Sequence, residues 1–309
     1  MKPKLFTKSA FKQALECPAS LYYYYDSEHY ANQNNEDDFL QALAEGGQQV
    51  GDLAKVYYRV PDECDIKELG YEPALARTAE LFQRENVTIA EAAFRWENCF
   101  VRADIIEKKG KQINLIEVKA KSWDDTNAFL QKDNATVYKG IYPYIYDVAF
   151  QKYVIQKALG ADYTVTAYLM MADKKTKAPV DGMNPMFKVV NKEGRAHIER
   201  SSEAASLAGM EKVLAPFHVD NLCQQVIAGE TAEQRQVMSG MLFIDFVKEM
   251  SRQYVNHERH FSSLGAKCFN CQFVSNQKTE GLLDGKKECW EHSGSVYLGM
   301  LQYALMGVS

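Results

Sequence analysis

The 309-residue chain is expected to fold as an α/β protein, a mixed central β-sheet flanked by helices with a helical elaboration toward the C-terminus. Three observations carry that expectation. Residues 7–85 hold apolar positions at helical spacing, after which the period changes. Residues 88–121 then hold three β-branched or aromatic runs separated by turn residues. Beyond residue 140 a long helical stretch leads into another apolar strand, the order that lays helices against a sheet.

Taken in order, Thr7 is placed to N-cap a helix within 7–25, and Pro18 opens a second helical turn there. Residues 37–60 form a second helix despite three glycines, and 74–85 a third. The runs "TIAEAAFRWEN", "CFVRADIIEKK" and "QINLIEVKAK" read as a three-stranded meander, the last two reversing at Gly110–Lys111. A polar connection, 121–139, leads to a helix from about Tyr142 to Leu159. A buried strand at 163–172, a basic loop "DKKTKAP" and a short strand "MFKVVNK" follow. From Ser202 to about His260 the pattern is mostly helical, and a cysteine-rich tail begins at Lys267. No repeat or low-complexity linker divides the chain. The expected organisation is one domain over 1–290, with its core at about 37–172, a helical and cysteine-bearing region at about 200–290, and an apolar C-terminal helix over 291–309.

Hydrophobic residues make up 46% and charged residues 25%, which places the chain among folded globular proteins. The net charge of −5 argues against a generally basic coat but leaves room for a local basic groove. The N-terminus lacks the apolar core of a signal peptide, and no run approaches the ~20 apolar residues that span a bilayer, so a cytoplasmic protein without membrane contact is expected. The apolar "VYLGMLQYALMGV" is too short to span and is expected to be buried, docked on a protein partner or self-associated.

Strand residues Glu117 and Lys119 interrupt apolar sequence and point to one face, while Ile116 and Val118 point to the other. With the turn at Gly110–Lys111, Asp104 lies across from Glu117. Two carboxylates so close repel unless a cation sits between them, and oxygen donors suit Mg²⁺ or Mn²⁺. Glu91, on the adjacent strand, is placed to supply a third oxygen. Lys119 is then placed to position or deprotonate a metal-bound water and to offset charge on a phosphorane-like transition state. These parts suit phosphodiester hydrolysis. Any one of the residues alone would read as a surface ion pair on a half-exposed strand.

"RADI" and "LIEVKAK" resemble the metal-binding Asp and the (D/E)-X-K tripeptide of the PD-(D/E)XK nuclease superfamily. The resemblance implies a restriction-endonuclease-like core, with Asp104 and Glu117 as metal ligands and Lys119 as the catalytic lysine. RecB-like members carry a Gln-x-x-x-Tyr pattern on the following helix; "DVAFQKYVIQKALG" is similar, with Gln151 in the Gln position and Tyr153 two residues on instead of four. They also carry a His in an early Gly-x-x-x-His, where this chain has Gly51, which leaves Glu91 as the better third ligand and Glu45 as a remote alternative.

Seven cysteines in a chain without an export signal argue for metal ligation over disulfides. Cys268 and Cys271 form a C-x₂-C, Cys289 follows, and Cys17, before Pro18, is the candidate fourth ligand. One upstream Cys with three near the C-terminus resembles the arrangement in iron-sulfur nucleases, namely CRISPR-associated exonucleases and AddB-type nuclease domains. That resemblance covers residues ~5–290 and implies a [4Fe-4S] cluster pinning the ends of the fold, with zinc as the alternative. Cys64, Cys99 and Cys223 are expected as small buried hydrophobes.

The family likeness implies DNA as substrate, single-stranded or with free ends, degraded exonucleolytically in repair or defence. A binding module with a structural zinc site, or a subunit acting only with partners, is the alternative. "LYYYYDSEHY" is read as core packing or as a base-stacking surface, and Lys119, Lys121, Lys139, Lys152 and Lys157 as candidate phosphate contacts.

Overall fold

The computed structural model describes residues 4–35, 38–67, 70–123, 129, 137, 140–192, 195–229, 238–260 and 264–293. In chain order the elements are β1 (Phe6–Thr7), α1 (Lys8–Glu16), α2 (Ser20–Tyr25), α3 (Asp38–Tyr57), α4 (Tyr71–Leu81), β2 (Asn86–Trp96), β3 (Cys99–Lys109) and β4 (Gln112–Trp123). There follow α5 (Tyr142–Leu159), β5 (Thr164–Asp173), β6 (Phe187–Lys192), β7 (Arg195–Arg200), β8 (Leu214–His218), α6 (Asp220–Ala228), α7 (Phe243–Val255) and α8 (Gly285–His292). The chain divides into two compact units, residues 41–244 and residues 1–40 with 245–309.

In the larger unit β2, β3 and β4 form the expected antiparallel meander. Lys109 pairs with Gln112 across a turn in which Gly110 takes φ +57°, a conformation that suits glycine. β4 and β5 run parallel, joined by the α5 crossover, and β8 pairs antiparallel with β5. The sheet is therefore mixed and flanked by helices, as expected.

One sheet face carries Ile105, Ile116 and Met170 against Leu53, Ala54 and Tyr57 of α3 and Leu207 of a 3₁₀ segment. Each such aliphatic side chain, fully buried, contributes roughly 1.5–3 kcal/mol. On α5 every residue from Ile145 to Ile155 is buried. A helix enclosed on all sides should be apolar all round, yet this stretch includes Asp147, Gln151 and Lys152, each of which then needs a partner.

The stretch from Ser202 to about His260, expected to be mostly helical, carries α6 and α7 but differs ahead of them. Residues 202–209 form a 3₁₀ segment, β8 follows at 214–218, and β7 pairs with β6 in a separate hairpin. β8 is five residues long and contains Pro216, whose ring cannot donate to a ladder and so masks a strand in sequence.

In the smaller unit Thr7 N-caps α1, accepting Ala10 N–H at 3.4 Å. Phe6 and Phe11 pack edge-on, Phe6 also against Tyr254 and Phe11 against Phe246. Most of the expected C-terminal helix, 294–309, lies outside the described residues. Among the described residues no helix is long and apolar enough to cross a membrane.

Candidate functional site

Glu117 is wholly buried on the face of β4 turned toward α5, while Ile116 and Val118 pack on the opposite face, as the alternation requires. Its carboxylate is held by two donors: Lys119 Nζ on Oε1, and Gln151 Nε2 on Oε2 at 2.8 Å. A buried carboxylate needs a nearby cation, and the Lys119 ammonium supplies one. The β3–β4 ladder ends at Ile105–Ile116, so its next rung would pair Asp104 with Glu117. There the Asp104 side chain takes over from the backbone, Oδ2 accepting Val118 N–H at 2.7 Å.

Glu91 falls between the rungs Ala90–Ile105 and Ala92–Ala103, at the level of Asp104. It has φ +58° inside a strand, a conformation costing about 1–3 kcal/mol for a side-chain-bearing residue, and such strain gathers at functional sites. Asp104, Glu117, Lys119 and Gln151 are thus brought to one region, with Glu91 on the neighbouring strand at the same level.

Sequence reasoning missed Asp147. It is wholly buried on α5, one helical turn before Gln151. Lys119 Nζ donates to its Oδ2 at 3.0 Å and Gln151 Nε2 to its Oδ1 at 3.2 Å. The signal was present: Asp147 and Gln151 stand four apart in an apolar helix, a spacing that puts them on one face. Because Gln151 Nε2 serves two carboxylates, its Oε1 is fixed as an acceptor, buried with no hydrogen-bond partner among the described residues. Tyr153 packs edge-on against Phe243 at 5.7 Å instead of joining this network.

The four candidate cysteines lie in the smaller unit. Cys17 follows α1, Cys268 sits in the 3₁₀ turn Ala266–Asn270, Cys271 directly follows that turn, and Cys289 is on α8. Burial raises the Cys17, Cys271 and Cys289 thiol pKa values, Cys271 to about 11, and the neighbouring sulfurs oppose one another's ionisation. Cys271 and Cys289 pack against the same Tyr23–Tyr30–Phe273 cluster. Backbone N–H groups of Ser20 and Ala19 favour the Cys17 thiolate, and that of Phe273 the Cys271 thiolate. Gly265 N–H reaches Cys268 Sγ at 3.5 Å, and Tyr23 Oη lies 3.1 Å from Cys289 Sγ. Hydrogen bonds to sulfur are what a thiolate-held metal or cluster uses to tune its charge.

Cys64, Cys99 and Cys223 are buried, as expected of small hydrophobes. In the tyrosine stretch Tyr23 and Tyr30 pack with Phe273, and Tyr22 and Tyr25 stack on either side of His257 at 4.2 and 4.3 Å. Lys121 lies over the Tyr144 ring at 5.3 Å and donates to Gly140 O. Lys152 is no surface cation: it is buried against Asp220 at 2.5 Å, because an apolar helix leaves its ammonium no route to water. Lys139 lies outside the described residues.

Among the described residues no three or more His, Cys, Asp or Glu side chains form a set able to hold a metal ion as they stand. The donor types nevertheless suit the two groups: carboxylate oxygens at Asp104 and Glu117, with a buried Gln151 acceptor left for a water, and free thiols at Cys17, Cys268, Cys271 and Cys289. No protein-family model matches the chain, and no curated protein matches it.

Proposed function

We propose that the chain is a metal-dependent nuclease of PD-(D/E)XK type, with a restriction-endonuclease-like core, that hydrolyses DNA phosphodiesters as an exonuclease on single strands or free ends. The observation that carries this reading is the buried Glu117 carboxylate gripped by Lys119 and Gln151, with Asp104 anchored one residue away at Val118.

In this reading Asp104 and Glu117, with Glu91, hold Mg²⁺ or Mn²⁺. A bound ion of this kind acidifies a coordinated water and draws charge from the phosphate. Gln151 orients Glu117 through Oε2, and its Oε1 accepts a hydrogen bond from a water or substrate hydroxyl. Lys119 Nζ presents positive charge toward the phosphate and holds or passes a proton beside the attacking water. Asp104, tied by Oδ2 to the β4 backbone, keeps its carboxylate in register with Glu117. Cys17, Cys268, Cys271 and Cys289 hold a [4Fe-4S] cluster or, in the alternative, zinc, which supplies cross-links that a small tyrosine-rich core reinforces.

The test is Mn²⁺- and Mg²⁺-dependent degradation of end-labelled single-stranded DNA by anaerobically purified wild type and Lys119→Ala side by side. The expected result is a loss of at least about 100-fold in the variant. Equal cleavage by both would place the activity elsewhere and sink the reading. No cleavage by either metal-loaded protein would favour a binding module that is non-catalytic or needs a partner.

A further inference from the structure

We infer that Asp147 is a positioning residue that holds Lys119 and Gln151 so that Glu117 can turn its oxygens to a divalent cation, an inference resting on the nuclease reading above.

A cation and the protein's own donors compete for Glu117. Both Glu117 oxygens are engaged, Oε1 by an ammonium and Oε2 by an amide N–H. A cation that binds Glu117 must displace at least one of these donors. Leaving a half-buried ammonium or a buried amide without an acceptor is costly, so a site with no second acceptor would resist the metal. Asp147 is that second acceptor for both donors, Oδ2 for Lys119 at 3.0 Å and Oδ1 for Gln151 at 3.2 Å. It comes from α5 and Glu117 from β4, so the donors are held from the side opposite the strand that would ligate the metal. Both carboxylates are wholly buried, so their oxygens are offered to protein groups and not to solvent. In this arrangement Lys119 stays within reach of the phosphate whether or not Glu117 is ligating. Asp147 itself touches neither substrate nor the proposed ion.

The experiment is Mn²⁺ binding to the full chain, read from the electron paramagnetic resonance signal of free Mn²⁺, for wild type, Asp147→Asn, Lys119→Met and the double variant. Asn keeps the shape of Asp147 but presents one acceptor oxygen in place of two, so Lys119 falls back on Glu117. Asp147→Asn is expected to weaken binding about tenfold, as loss of a group supporting a ligand does. In the Lys119→Met background the same substitution should change binding less than about twofold, because no ammonium remains to compete. If Asp147→Asn does not fold, Asp147→Glu, which keeps the charge and misplaces it, carries the same comparison. Unchanged binding in Asp147→Asn, or an equal penalty in both backgrounds, overturns the inference. Wild type that binds no Mn²⁺ overturns it together with the nuclease reading; normal wild-type binding with Lys119-dependent cleavage and no Asp147 effect overturns the inference alone.

Discussion

The Asp104 carboxylate accepts the backbone N–H of Val118 at 2.7 Å, so an acid on one strand is anchored to the residue between Glu117 and Lys119 on the next. The two substitutions that remove its charge should therefore differ in stability while agreeing in activity. Asp104→Asn keeps an acceptor for Val118 and should unfold in urea near the wild-type midpoint. Asp104→Ala leaves that N–H unpaired and should lose about 1–2 kcal/mol. Both should lose Mn²⁺-dependent cleavage. A cleaving Asp104→Asn protein would remove Asp104 from the proposed ligand set.

Glu91 should trade stability against activity. At φ +58° it is strained, and glycine relieves such strain. Glu91→Gly is expected to gain about 1 kcal/mol in urea unfolding while cleavage falls. A variant that is both more stable and fully active would show that the strain serves something other than the third ligand position.

Metal analysis separates the two readings of the cysteines. Anaerobic wild type should contain iron and acid-labile sulfide with visible absorbance, and Cys271→Ser should lose both and melt lower. Zinc in place of iron would establish the alternative metal. Tyr23→Phe, which removes the hydroxyl 3.1 Å from Cys289 Sγ, should retain its metal but release it faster to a chelator.

His257 sets an acid sensitivity for the smaller unit. Its ring is stacked between Tyr22 and Tyr25, and Nε2 has no hydrogen-bond partner among the described residues. Burial pushes its pKa below the ordinary 6.5, with Asp26 opposing. The unfolded chain then binds the proton more readily, so stability is held above pH 6.5 and declines as pH falls below it. The ring is half-buried, so the decline should be modest. Denaturant unfolding at pH 5 and 7.5 should show it in wild type and show less of it in His257→Phe, which keeps the stack. Identical pH slopes in the two proteins would exclude His257 as the cause.

Local pattern by itself determined the strand meander, the two-residue reversal at Gly110–Lys111, the face shared by Glu117 and Lys119, and both ends of α5. These follow from side-chain period and turn chemistry, which act over a few residues. Tertiary packing decided the rest. β8 forms only because β5 offers it a ladder, which a five-residue run containing proline does not announce. Asp147 and Lys152 were invisible as paired groups because their partners, Lys119 and Asp220, are 28 and 68 residues away. Enclosing α5 on all sides removes water as a partner for its polar side chains, so each must find one in the protein. That requirement, set by burial, gathers Asp147 and Gln151, which their spacing already puts on one face of α5, around the Glu117–Lys119 pair.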